Sequence, residues 1–156
     1  MAIRRAGQKA QVIALLSQSA PAGETFLACV HTETGPSPWL NALFDEVPLL
    51  GLIISLTRRF YFVTLTSTSV VVNTCSRFRN RPGAVVVVFA RDAFPATRIK
   101  RGKLWSVMYV EFPGASKPTR LNIHRYWRNE FDQLVAAMPT AQVQAALDPG
   151  DDAVSA

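Results

Sequence analysis

The chain has 156 residues, 49% of them hydrophobic and 18% charged, with 10 prolines. That length supports one domain with a real core rather than two, and the composition excludes a disordered chain. The net charge of +6 is unevenly spread: residues 57–128 carry 14 Lys or Arg against only Asp92 and Glu111. Such a basic unit attracts lipid head groups, nucleic acid or acidic protein surfaces.

The amino terminus, "MAIRRAGQKAQVIALLSQSAPAGE", has basic residues followed by a short apolar run. That run is about five residues, whereas a secretory core needs roughly seven to fifteen. Val12, Leu15 and Leu16, with Ile13 beside them, instead mark one face of a short amphipathic helix within residues 1–20. After the Pro/Gly break, "TFLACVH" reads as a first strand, ended by the turn "TGPSP". "WLNALFDEV" follows with apolar residues at helical spacing and leads into "VPLLGLIISL", the most apolar stretch of the chain.

From Phe60 the period becomes two. "FYFVTLTSTSVVVNTCS" is two β-branched runs joined by "TSTS", a hairpin. "RFRNRPG" is a basic turn, and the unbroken valines of "AVVVVFA" predict a strand buried on both faces. "TRIKRGKLWSVMYVEFPG" predicts another hairpin, with Arg101-Gly102 at its turn. "ASKP" turns the chain again and "TRLNI" is the last strand. In "HRYWRNEFDQLVAAM", Trp127, Phe131, Leu134, Val135 and Met138 form one stripe of an amphipathic helix of about four turns. Arg125, Arg128, Glu130 and Asp132 are expected on its solvated side. Residues 139–156 read as a weak helical patch and an acidic tail.

Cys29 and Cys75 each lie in an apolar run with no metal-ligand neighbour at zinc-site spacing, so both are expected as small buried hydrophobes of a reduced, cytoplasmic protein. No metal or cofactor site is expected. The two histidines, His31 and His124, accompany no nucleophile, carboxylates recur at no acid/base spacing, and no phosphate loop is present. His124 is expected as a cap or surface residue. The reading is therefore a non-enzymatic protein without a small-molecule substrate.

Three stretches, "PAGETFLACVHTETGPSPWL", "RRFYFVTLTSTSVVV" and "TRIKRGKLWSVMYVEFPGASKPTRLNIHRYWRNEFDQLVAAM", resemble a group of small bacterial PH-like (pleckstrin-homology-like) domain proteins. The resemblance spans residues 21–138 and contains no catalytic motif. It departs from the common pattern at "TSTSVVV", where relatives often carry a charged turn. It implies two nearly orthogonal antiparallel sheets capped by a carboxy-terminal helix. That agrees with the elements read above: a mainly β (α+β) protein, a bent sheet or partly open barrel with a capping helix and a short amino-terminal helix.

The apolar insert, residues 39–57, contains Asp45, Glu46 and Pro48. Its uninterrupted part as a helix covers about 15 Å, half of a hydrocarbon core, so it does not span a membrane. Leu49, Leu50, Leu52, Ile53, Ile54 and Leu56 either cover the sheet, project as an interfacial wedge with Arg58 and Arg59 at head-group level, or join copies in a homo-oligomer. Two basic clusters are candidate anion sites. Arg77, Arg79 and Arg81 alternate and so share one face if extended, with Phe78 opposite. Arg98, Lys100, Arg101 and Lys103 surround a hairpin whose glycine admits an anion to backbone N–H groups. Basic loops of PH-like folds commonly bind anionic head groups, so the resemblance favours this use. Nucleic acid is disfavoured because aromatics are not interleaved with the basic positions. The expectation is an adaptor attached peripherally to the inner, anionic face of the cell membrane; the alternative is a protein–protein module.

Overall fold

Each hairpin read from the alternation pairs as an antiparallel ladder in the computed structural model, which describes residues 2–18, 20–35, 58–77 and 81–138. The strands are β1 (Phe26–Thr34), β2 (Phe60–Thr66), β3 (Ser69–Cys75), β4 (Pro82–Ala90), β5 (Ala96–Lys100), β6 (Trp105–Val110) and β7 (Thr119–His124). Helix α1 (Ala2–Leu16) precedes them, and α2 (Arg128–Ala136) follows a 3-10 turn at Arg125–Trp127. The strands form one antiparallel sheet in the order β4-β3-β2-β1-β7-β6-β5. The apolar insert 39–57, with Leu49 to Ile54 and Leu56, lies outside the described residues, as do Phe78, Arg79 and the tail 139–156.

This order sets a geometric problem. β4 and β5 are opposite edges of the sheet, yet only residues 91–95 join them. Seven flat strands would span about 29 Å. Five residues reach about 18 Å when fully extended, and three of these are wound into a 3-10 turn, Arg91–Ala93. The sheet must therefore bend until its edges approach, leaving an incompletely closed barrel. Across the bend Tyr61 meets Phe112, with ring centres 5.9 Å apart. Phe89 meets the fully buried Phe94 at 5.5 Å, beside the connection itself.

Register assigns the two faces. His31, Phe62 and Asn73 are mutually paired and lie on one face; Val30, Val63, Val72 and Val87 are paired on the other. The first face receives the helices: His31 and Phe62, 5.2 Å apart, lie 6.2 and 6.5 Å from the Trp127 ring centre. The expected stripe of α2 is buried throughout: Trp127, Phe131, Leu134, Val135 and Met138. α1 adds Val12 and Leu16 to the same core, leaving Ile13 37% exposed. Cys29 and Cys75 are buried free thiols, each raised to about 11 by burial.

Two expectations about burial fail. The valine run of β4 is not central; it is the outermost strand, and Val85, Val86 and Val88 are exposed. A run of apolar residues reports favourable strand backbone and apolar potential, not which neighbours arrive. Glu130, expected in solvent, is only 5% exposed. Lys9 of α1 donates to its Oε1, and the Arg5 Nε lies 3.7 Å from the same oxygen. Arg5 also donates to the Tyr126 carbonyl. The amino-terminal helix thus clamps the carboxy-terminal one through a shared carboxylate.

Candidate functional site

The β5–β6 connection, residues 101–104, is shaped by a close backbone approach. A Cβ on Gly102 would sit 2.2 Å from the Trp105 carbonyl oxygen, so only glycine lets the turn close there. The carbonyls of Gly102 and Lys103 then both accept hydrogen bonds from one Arg128 Nη2, at 2.6 and 2.8 Å. This differs from an anion nest of backbone amides: the glycine serves the turn, and its carbonyl serves the helix. The Arg125 N–H adds a bond to the Leu104 carbonyl, 2.8 Å. Arg101 Nη2 reaches Asp132 Oδ1 at 3.0 Å, an exposed pair that contributes little to stability.

Together these contacts dock the basic hairpin turn against the start of α2. Between them lies a cleft of about 390 Å³ lined by Arg101, Gly102, Lys103, Ser106, Arg128 and Asp132. Three cations and a hydroxyl face one carboxylate, so the cleft is net positive. Guanidinium forks suit bidentate contact with a phosphate or carboxylate. An entering anion would compete with Asp132 for Arg101.

The rim beside the cleft is apolar and aromatic. Leu104 is 46% and Tyr126 44% exposed. The Arg125 guanidinium carbon lies 5.7 Å from the centre of the Tyr126 ring. Trp105, His124 and Tyr126 form a ring series at 4.7 and 4.4 Å. His124 Nδ1 accepts from the Tyr126 N–H at 3.4 Å, capping the 3-10 turn as the sequence suggested. Burial and the neighbouring Arg125 hold its imidazolium form below the ordinary pKa.

The other predicted cations are dispersed. Arg98 and Lys100 lie on β5, leading into the turn. Arg58 turns back to Glu33, 3.5 Å away, with 17% of its side chain exposed, so its charge is already paired. Arg59 is exposed ahead of β2. Arg77 sits in a turn, so the extended alternation expected of Arg77 and Arg81 does not exist at Arg77; Arg81 is exposed just before β4. Neither residue lines the cleft. The β3–β4 loop lies at one sheet edge and the β5–β6 loop at the other, each at the end of its strand away from the 91–95 junction. The cleft thus gathers cations of the β5–β6 turn and of α2, and none from the described part of the β3–β4 loop.

Arg128, Asp132, Ser106 and the rim residues Leu104 and Tyr126 were not among the candidate residues. The signal for Arg128 is a contact between residues 26 positions apart, which no local pattern carries. Among the described residues, no group of three or more His, Cys, Asp or Glu could hold a metal ion, and no helix is long and apolar enough to cross a membrane. Set against known proteins, the chain matches no family model, no curated protein and no solved structure.

Proposed function

We propose that this chain is a non-enzymatic binding module of PH-like architecture that attaches peripherally to an anionic membrane surface, through the β5–β6 turn and the start of α2. The architecture is supported by a four-strand meander and a three-strand meander joined through β1 and β7, followed by α2. The observation that carries the function is the convergence of Arg101, Lys103 and Arg128 on one cleft with Leu104 and Tyr126 on its rim. Cationic groups beside exposed apolar and aromatic side chains are what interfacial attachment requires. Neither Arg77 nor Arg81 lines that cleft. The two buried free thiols support a reducing, cytoplasmic compartment.

The test is co-sedimentation with neutral and anionic phospholipid vesicles at low and physiological salt. Binding should be confined to anionic vesicles and weaken with salt. Arg101→Glu with Lys103→Glu should abolish it, whereas Asp132→Asn should strengthen it by removing the internal competitor. Equal binding to neutral vesicles, or charge reversals without effect, would refute the reading. The protein–protein reading is favoured by a separate observation, the exposed valines of β4.

A further inference from the structure

Strand β4 has β3 on one side and, among the described residues, no strand on the other. Val85, Val86 and Val88 are 46%, 47% and 58% exposed, and no charged residue stands between Arg81 and Arg91. Edges that face water are ordinarily guarded by lysine, by proline, by bulges or by short length. Here the ladder to β3 is irregular at Val86 and between Pro82 and Val85, but no lysine and no mid-strand proline interrupts the nine residues Pro82–Ala90. An edge of that kind is a template for another strand.

We infer that β4 pairs antiparallel with β4 of a second copy of this chain, forming a two-fold dimer with a continuous sheet. Register argues for a second copy. A two-fold antiparallel pair sets one residue opposite itself at the axis. With that residue Val87, Val86 of each copy comes opposite Val88 of the other, next to the bulge by which the ladder to β3 skips Val86. Two of the three exposed valines of one copy then meet those of its mate. Charge selects the same register: Arg91 falls opposite Gly83, whereas an axis at Val86 would set Arg81 against Arg91. Arg91 is also turned inward, donating to the Ala137 and Ser67 carbonyls at 3.4 Å each. Between Pro82 and Ala90 the strand carries no polar side chain with which to read a foreign sequence. Its specificity must come from shape and register, which its own copy supplies.

A single strand pair lies at the small end of stable interfaces, so the dimer is concentration-dependent, in the micromolar range. Sedimentation equilibrium of the full chain should show the 17.2 kDa monomer near about 1 µM and approach twice that mass near about 200 µM. Val86→Lys and Val88→Lys should remain monomeric throughout, with unchanged melting temperature when dilute. Ile53→Asp should dimerise as the wild type does. A wild type that stays monomeric, or a dimer that survives both lysines, would overturn the inference. Should either lysine variant misfold, hydrogen exchange of the wild type decides. Amides of residues 84–90 should slow as concentration rises, and concentration-independent exchange there overturns the proposal.

Discussion

His31 offers a direct test of how the sheet and α2 pack. Its ring lies 5.8 Å from Phe60 and 6.2 Å from Trp127, nearly parallel to both, and 5.2 Å edge-on to Phe62. Its Nε2 is buried and has no hydrogen-bond partner among the described residues. Burial therefore disfavours the charged form and lowers the pKa to about 4 from an ordinary 6.5. The unfolded chain takes up a proton as pH falls past 6.5, and the folded chain does so only near 4. In that window unfolding gains a proton, so the stability present above pH 6.5 is progressively lost on acidification. The loss amounts to about 2 kcal/mol at pH 5 and about 3 kcal/mol at pH 4. His31→Phe keeps an aromatic ring of similar size and leaves no nitrogen unpaired, so it should erase this component. Urea unfolding followed by tryptophan fluorescence at pH 7.5 and pH 5 would measure it. The chain has only two histidines, which makes subtraction of the variant's slope clean. Equal pH slopes in the two proteins would refute the packing argument. They would mean that the imidazolium is accommodated between the rings as a cation–π contact.

The clamp between the helices is tested by Lys9→Met. Burial pushes the Glu130 carboxyl up, but the hydrogen bond from Lys9 and the charges of Lys9 and Arg5 outweigh it and hold the pKa below the usual range. The Lys9 side chain is 32% exposed, so screening reduces the cost to about 1–2 kcal/mol. Combining it with Glu130→Gln should cost less than the sum of the single changes; strict additivity in thermal or urea unfolding would sink the clamp. The clamp's contribution is present above pH 4.5 and is lost as pH falls through the lower folded value. Gly102→Ala forces a Cβ into the Trp105 carbonyl. It should cost about 1–3 kcal/mol, lowering the melting temperature by several degrees, and should weaken anionic vesicle binding because the turn carries Arg101 and Lys103. A variant with wild-type stability would show that the turn closes without that approach.

What the sequence reveals about this protein follows from the range over which each signal acts. The stripe from Trp127 to Met138 is a local period, and every member is buried as expected. The "TSTS" hairpin is equally local: Ser67 and Thr68 connect β2 to β3, and Thr66 Oγ1 accepts from the Ser69 N–H at 2.9 Å. Glu130 could not be placed this way. On its own helix it occupies a polar position, and it is buried only because Lys9, 121 residues earlier, is delivered over it by α1. The cleft is non-local in the same sense, since Arg128 reaches back to the turn at residues 102 and 103.

The valines of β4 show the limit most sharply. A run of four valines stabilises a strand equally well in the centre of a sheet or at its rim, because the backbone preference and the apolar surface are the same. Position is decided elsewhere. β1 accepts β7 on its free side at Glu33–Asn122 and Thr34–Leu121, and residues 91–95 carry the chain from β4 to the far edge. Once β1 has taken β7, no described strand remains for β4 to pair with beyond β3. The exposed valines are the consequence of that topology, and burial on both faces, the natural inference from the run alone, is what the other described residues do not provide for them.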